Sequence, residues 1–283
     1  MDTSATSTVE TPPTVRELLA FYLEAGVDCA LLEEPPNRLL DPEIAPQPAA
    51  IPSPPANRPA PPPAAMARAP VVAAPAPDVA IASARDAART APTLEALRAL
   101  LETFDGCALK QTATRLVFSD GNPQARIMFV GEAPGRDEDL EGIPFIGRSG
   151  KLLDRMIGAI GLDRTTAYIA NVIPWRPPGN RDPSPQETQI CLPFIKRQIE
   201  LVDPDVLVCL GKPSSQAVLE LKDGIMRTRG RWHNYDTGTR TIRAMATFHP
   251  AYLLRQPIHK RLAWQDLRAI SKALNNAASS PTT

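Results

Sequence analysis

Three side chains that could do acid–base or hydrogen-bonding chemistry lie near the ends of short apolar runs. Glu132, in the stretch GEAPG (131–135), directly follows the first run, Asn171 lies near the end of the second, and His249 follows the fourth. A carboxylate and an imidazole can hold or move protons, and a side-chain amide both donates and accepts hydrogen bonds. The GEAPG stretch lacks the Lys-Ser/Thr ending of a Walker motif and the spacing of a dinucleotide fingerprint, which argues against a nucleotide-binding loop.

The elements that must position these side chains alternate along the chain. Four short apolar, β-prone runs predict strands at 125–130, 168–173, 205–210 and 242–248. Helical patterns occur around 94–101 and at 150–160, 184–202, 213–221 and 260–274. We therefore expect an α/β fold, a three-layer α/β/α arrangement with a central, mostly parallel four-stranded sheet. Ligands bind at the carboxyl ends of strands in open α/β sheets, so the four strand ends, including Gly211 after the third, should form one cleft.

The chain outside this region differs in amino-acid composition and in hydrophobic periodicity. Residues 14–32 place apolar side chains at mostly helical spacing, so we expect 1–40 to form a short helical segment. Residues 41–92 are rich in proline and alanine without periodicity, which predicts a disordered linker. The folded domain is then expected at 93–276, followed by a disordered tail at 277–283. The longest apolar runs are too short to cross a membrane and the four cysteines are scattered, which favours a cytoplasmic protein.

Charge is distributed unevenly although the formal net charge is zero. Residues 1–45 contain nine acidic and two basic side chains, whereas residues 225–275 contain ten Lys/Arg and two acidic side chains. Such asymmetry is typical of a protein with a polyanion-binding face. A solvated basic surface explains the same distribution equally well.

At the residues identified above, the chain resembles the uracil-DNA glycosylase superfamily, and specifically its type-4 branch. The matching segments are GEAPGRDED (131–139), GIPFIGRSGKLLDRM (142–156), YIANVIPWRPPGNR (168–181), VLVCLG (206–211) and FHPAYLLR (248–255). The resemblance extends from about Phe104 to Ile270 and does not include residues 1–92. It implies a hydrolase that flips uracil out of DNA and cleaves its N-glycosidic bond, leaving an abasic site for base excision repair.

The resemblance implies how the base would be recognised. A flipped uracil presents O4 as an acceptor and N3–H as a donor, which the Asn171 amide can match, whereas cytosine presents the opposite pattern. Phe145 would stack on the base. From the residues alone, an asparagine near a strand end more often ties down a loop, and a core position beside Ile143 and Ile146 is favoured for Phe145.

The resemblance also assigns the catalytic roles. Bond cleavage leaves negative charge on the departing uracil and positive character on the sugar. His249 would donate to uracil O2, helped by backbone N–H groups around Glu132 and Ala133. Glu132 would position or activate water and face the cationic sugar, with Asp137 as the reserve candidate. A histidine before proline at a strand end can also be purely structural.

Binding DNA with a flipped nucleotide requires groups that bind the phosphates. It also requires an apolar side chain that fills the vacated place in the base stack. Leu253 and Leu254 are the candidate wedges. Helix starts with free N–H groups can bind anions, and basic side chains near the predicted cleft suit phosphates. The remaining candidates for DNA contact are Ser149, Arg176, Arg181, Lys212, Ser214 and Arg255. Each charge among them could equally be a solvated surface group.

The sequence departs from the type-4 pattern at the cysteines. Type-4 enzymes typically hold a four-iron cluster with four cysteines, and here two of those positions are Lys110 and Trp175. Only Cys107 and Cys191 remain, and two thiolates cannot supply four ligands. We therefore expect no iron–sulfur cluster and no other metal. The loop after Asn171 also lacks the histidine insertion of relatives that trap DNA covalently, which favours hydrolysis.

Two alternative functions remain open at this stage. One is a glycosylase of the same fold that prefers another deaminated base, such as hypoxanthine or xanthine. The other is a non-catalytic module that binds damaged DNA, although Glu132 and His249 would then have no purpose. The expected partners are uracil-containing DNA and a protein partner bound through the N-terminal helix, with the chain otherwise a monomer.

Overall fold

A six-stranded sheet organises the computed structural model, which describes residues 77–278. These residues fall within one of the chain's two units, Arg68–Thr283. The strands are β1 (Ser119–Gly121), β2 (Ile127–Gly131), β3 (Tyr168–Asn171), β4 (Val206–Leu210), β5 (Trp232–Asp236) and β6 (Thr241–Thr247). Their spatial order is β1-β3-β2-β4-β6-β5.

The four predicted strands are confirmed as the parallel centre of this sheet. β3, β2, β4 and β6 pair in parallel, whereas β1 and β5 pair antiparallel at the two edges. The prediction of four strands is therefore two short of the observed number. β1 has three half-buried residues and β5 reads Trp-His-Asn-Tyr-Asp, so neither carries the apolar run that revealed the buried strands.

Helices surround the sheet. They are α1 (Pro77–Thr90), α2 (Leu94–Thr103), α3 (Leu109–Thr112), α4 (Arg136–Glu141), α5 (Arg148–Gly158), α6 (Pro185–Val202), α7 (Lys212–Leu219), α8 (Ile225–Thr228), α9 (Pro250–Arg255) and α10 (Lys260–Ala278). Short 3-10 turns occur at Pro178–Asn180 and Pro257–His259. Among these described residues, no helix is both long and apolar enough to cross a membrane.

Two apolar clusters cover opposite faces of the sheet. Successive side chains of a strand point to opposite faces, and in β2 Met128 and Val130 join one cluster while Ile127 and Phe129 join the other. The first cluster includes buried side chains of α1, α2 and α6, and the second includes those of α5, α9 and α10. The three-layer α/β/α prediction is thus confirmed.

Helix α1 lies inside the range predicted to be a linker. Ala80, Ala84 and Ala88 are buried at four-residue spacing, and α1 packs on α6. Arg197 of α6 donates to the Ala91 carbonyl at 3.1 and 2.9 Å. The predicted linker is therefore wrong over Pro77–Thr90, because alanine favours helices and its small side chain allows close packing. The rest of the linker, the N-terminal helix at 14–32 and residues 279–283 of the tail lie outside the described residues.

Candidate active site

The carboxyl ends of β2, β3, β4 and β6 open into a cleft of about 580 Å³. Parallel pairing aligns these ends, with Gly131 of β2 opposite Asn171 of β3 and Leu210 of β4 opposite Thr247 of β6. Because functional side chains follow each strand end, the sheet brings them to one place. The sequence-predicted residues that line the cleft are Glu132, Ala133, Phe145, Ser149, Asn171, Arg181, Gly211, Lys212, His249 and Arg255.

Asn171 presents an unsatisfied acceptor to the cleft. Its side chain is buried, and its Oδ1 has no hydrogen-bond partner among the described residues. A Cβ at Gly131 would collide with this Oδ1 and with the Phe145 ring, so only glycine fits at the end of β2. An unpaired buried acceptor costs about 1–3 kcal/mol. A ligand N–H that reaches this oxygen would satisfy it.

Phe145 is held in an unusual backbone conformation beside Asn171. It is buried, its φ is +56°, and its ring centroid lies 5.4 Å from that of His249. Arg164 donates to the Phe145 carbonyl and, at 3.1 Å, to the Pro144 carbonyl. A non-glycine residue at positive φ is strained and persists only where its surroundings hold it. Arg164 supplies that restraint, although it lies outside the segments that resemble the glycosylase family.

Arg164 is itself fixed by two ion pairs, with Asp120 at 2.6 Å and Asp154 at 2.9 Å. Asp120 belongs to the edge strand β1 and Asp154 to α5. The edge strand missed by the sequence analysis thus anchors the arginine that positions Phe145.

Glu138 connects the GEAPG loop to the Phe145 segment. Its buried carboxylate accepts from the backbone N–H groups of Gly135 (3.0 Å), Ile146 (3.1 Å) and Gly147 (3.0 Å). Its neighbour Asp137 is exposed and does not line the cleft, so the expectation of Asp137 as a reserve catalytic group disagrees with the structure. Adjacent helical residues point in different directions, and here Glu138 is the one turned inward.

Of the two predicted catalytic carboxylates, Glu132 is the one that lines the cleft. Burial raises the pKa of this carboxyl to about 7, and the negative charge of Asp182 adds to the increase. Asp182 also lines the cleft, and its carboxylate forms no hydrogen bond or ion pair among the described residues. A carboxyl with a pKa near neutrality is suited to taking up a proton at physiological pH.

His249 is held as a neutral donor. It caps α9, and its Nδ1 accepts from the Ala251 N–H at 3.1 Å, so the ring proton resides on Nε2. Burial lowers the pKa of the imidazole to about 4, and the positive charge of Arg255 acts in the same direction. A neutral Nε2–H can donate to a carbonyl oxygen without bringing a charge into the cleft.

Two of the predicted DNA contacts are buried away from the surface. Leu253 is 1% exposed and belongs to the apolar core, whereas Leu254 is 38% exposed. Ser214 is fully buried, and its hydroxyl donates to the Leu210 carbonyl at 3.4 Å. Both predictions fail for one reason: residues on the inner side of a short helix face the sheet, and adjacent leucines cannot both face outward.

The two arginines of the loop before α6 are engaged locally. Arg181 makes a bidentate ion pair with Glu187, at 2.9 and 2.6 Å. Arg176 does not line the cleft, and it donates to Asn180 Oδ1 at 2.7 Å. Glu187 also accepts from the Ser184 N–H in the capping box that begins α6. The loop is therefore fixed to the start of a helix, with Arg181 at the rim of the cleft.

The cysteine positions form a packed thiol pair. The Cys191 thiol donates to Cys107 Sγ at 3.9 Å, and both side chains are fully buried. Trp175 is buried in the same apolar cluster, and Lys110 pairs with Asp105 at 2.8 Å. Within residues 77–278, no group of three or more His, Cys, Asp or Glu side chains could hold a metal ion. This arrangement does not fit a four-cysteine cluster.

Comparisons with known proteins find a family model and several relatives of the same name. The family described as the uracil DNA glycosylase superfamily matches residues 118–268. The chain is 44% identical over 155 residues to the type-4 uracil-DNA glycosylase of Archaeoglobus fulgidus, which covers 53% of this chain and 78% of that protein. It is 40% identical over 164 residues to that of Thermotoga maritima, covering 57% and 84%. The protein of the same name from Sulfurisphaera tokodaii is 38% identical over 183 residues, covering 63% and 83%.

Proposed function

The chain belongs to the uracil-DNA glycosylase superfamily, and from this premise we propose how its cleft removes uracil from DNA. The protein is a uracil-DNA glycosylase, a DNA-repair hydrolase that cleaves the N-glycosidic bond of uracil and leaves an abasic site. The observation that carries the proposed mechanism is the buried, unpartnered Oδ1 of Asn171 in the cleft.

Asn171 and Phe145 bind the flipped base. Asn171 Oδ1 accepts from uracil N3–H and its Nδ2 donates to O4, while the Phe145 ring stacks on the base. Cytosine has an acceptor at N3 and a donor at N4, so it would leave the Asn171 groups mispaired. The restraint of Phe145 by Arg164 supports this role, because a fixed stacking surface loses little freedom on binding.

His249 and Glu132 act on opposite partners of the breaking bond. The electron pair of the C1′–N1 bond leaves with uracil, and the resulting charge at O2 is stabilised by the His249 Nε2–H and by the backbone at Ala133. Water attacks C1′ and gives its proton to the Glu132 carboxylate, which also faces the cationic sugar. Glu132 additionally lines an adjoining opening with Thr188, Gln189 and Gln216, and we propose that the attacking water reaches this carboxylate from there.

DNA is held at the rim of the cleft. Ser149, Arg181, Lys212 and Arg255 line it and suit the phosphates on either side of the flipped nucleotide. Arg176 supports this surface indirectly through Asn180, which also lines the cleft. Leu254 is the exposed leucine available to enter the base stack.

The proposal is tested by uracil release from a labelled oligonucleotide, with alkali revealing the abasic site. Replacing Asn171 with aspartate should lower uracil excision about 10- to 100-fold, since the Nδ2 donor to O4 is replaced by an oxygen. The matched control is Asn122→Asp, because Asn122 Oδ1 accepts from the Gln124 N–H in a turn outside the cleft and aspartate can do the same.

Three results would contradict this base-reading scheme. Asn171→Asp could excise uracil as well as the parent, which would show that another group reads the base. The parent could release hypoxanthine or xanthine and leave uracil in place. It could also bind abasic DNA and excise none of the three bases, as a damaged-DNA binding module would.

We also propose that the protein binds no iron–sulfur cluster. The close thiol pair of Cys107 and Cys191, the buried Trp175 and the Lys110–Asp105 ion pair support this. The purified protein should show no visible charge-transfer band and no stoichiometric iron, and Cys107→Ser should retain uracil excision. A visible band with stoichiometric iron, both lost in Cys107→Ser, would overturn the proposal.

The remaining features of the proposal concern the setting of the enzyme. We propose that it acts in the cytoplasm as a monomer and that the N-terminal helix at 14–32 binds a protein partner. The thiols of Cys107, Cys191 and Cys209 are free, which suits a reducing compartment.

A further inference from the structure

A large aliphatic side chain near the cleft is exposed to solvent and contributes little to the core. Ile258 is 70% exposed and lies in the 3-10 turn Pro257–His259, between α9 and α10. Leu254, at the end of α9, is 38% exposed. These two side chains, here called the wedge pair, are the exposed large aliphatic groups of the segment from α9 into the start of α10.

A hydrogen bond and stacked aromatic rings hold the turn that contains Ile258. The Tyr252 hydroxyl and His259 Nδ1 are joined by a 2.7 Å hydrogen bond, and the two rings stack with centroids 5.5 Å apart. Phe248 stacks on both, at 5.1 Å from Tyr252 and 5.4 Å from His259. Phe248 precedes His249 in the chain, so this aromatic stack ties the turn to the catalytic strand end. Ile258 is therefore presented outward on a rigid support.

The surroundings of the wedge pair are cationic. Arg255, Lys260 and Arg261 are exposed and form no ion pair among the described residues. Arg255 also lines the cleft. Exposed aliphatic side chains among free cations fit a partner that offers both phosphates and an apolar interior, and the stacked bases of a DNA duplex offer both.

We propose that Ile258 enters the base stack of duplex DNA together with Leu254 when a nucleotide is flipped into the cleft. This inference rests on the proposed uracil excision. Leu254 lies nearer in the chain to His249 and fills the vacated position, while Ile258 packs against the neighbouring base of the opposite strand. Ile258 thereby makes excision from duplexes efficient and has no part in excision from single strands, which lack an opposite strand.

The test compares single-turnover uracil release from single-stranded and duplex oligonucleotides of the same sequence. Ile258→Ala should slow release from the duplex about tenfold or more, because the buried aliphatic group is lost. It should change release from the single strand by less than about twofold, and Ile258→Leu should restore most of the duplex rate. The matched control is Val79→Ala, an aliphatic side chain 60% exposed on α1, which should alter neither rate.

Equal effects of Ile258→Ala on both substrates, or no effect on the duplex, would overturn the proposal. A second measurement separates this failure from that of the proposed function. The affinity for a duplex that contains a tetrahydrofuran abasic analogue does not depend on excision, and Ile258→Ala should weaken it about tenfold. If the parent releases no uracil but Ile258→Ala still weakens this affinity, the wedge is supported and the glycosylase is refuted. Unchanged affinity in Ile258→Ala would refute the wedge.

Discussion

Replacing Glu132 with glutamine is expected to lower kcat/KM for uracil release by about 100- to 1000-fold, because the amide cannot accept the proton of the attacking water. In the parent, kcat/KM should rise as pH increases through about 7, since the base must be ionised and its pKa is raised to about 7 by burial and by Asp182. Asp182→Asn should move this midpoint to lower pH, because one of the two causes is removed. The measurement is a pH profile under single-turnover conditions.

Stability provides an independent readout of the same group. A carboxyl with a raised pKa in the folded state stabilises the protein below its unfolded pKa, and that contribution is lost as pH rises through the folded pKa. Glu132→Gln should therefore unfold at a higher temperature than the parent at pH 8, where the parent must keep a buried carboxylate ionised. Glu141→Gln, an exposed substitution on α4, should change neither activity nor stability. A parent profile that is flat between pH 5 and 9 would show that Glu132 is not the base.

Replacing His249 with asparagine should cost about 100- to 1000-fold in kcat, the usual effect of removing a donor to a developing anion. Asparagine is a good helix cap, so it can still accept from the Ala251 N–H and keep α9 in place, while the Nε2–H donor is lost. The thermal unfolding midpoint should therefore stay near that of the parent. This variant separates the chemistry of His249 from its structural role.

A base that leaves more easily than uracil can test whether His249 stabilises the departing base or only positions the DNA. The defect of His249→Asn should be smaller for 5-fluorouracil than for uracil, because the fluorinated base needs less stabilisation as an anion. Since the pKa of His249 is lowered to about 4, it should add no limb to the parent pH profile above pH 5. An equal defect for both bases would indicate that His249 acts by positioning the DNA and makes no contact with uracil O2.

The part of the site that sequence could predict is the part set by strand ends. Strongly apolar runs predicted β2, β3, β4 and β6, and parallel pairing then dictates that Glu132, Asn171 and His249 meet. The resemblance to a known family supplied Phe145, whose neighbouring apolar residues otherwise favour a core position. The local sequence pattern was sufficient to predict site residues wherever strand pairing alone brings them together.

The rest depended on contacts between distant segments. Arg164 restrains Phe145 from nineteen residues away, with partners on β1 and α5, and no local pattern announces such a contact. Ser214 and Leu253 were predicted to touch DNA because of their place in the chain, but their side of the helix decides their burial. The wedge pair likewise depends on the tertiary fold, which buries Leu253 in the core and leaves Ile258 exposed.

The packing of α1 on α6 through regularly spaced alanines places the start of the folded domain before residue 93. A fragment that starts at residue 93, the boundary suggested by composition, would remove Ala80, Ala84 and Ala88 and uncover an apolar strip on α6. It would also remove the Ala91 carbonyl that accepts from the Arg197 guanidinium. Shortened versions of this enzyme should therefore start before Pro77, because truncation at 93 exposes an apolar surface that promotes aggregation.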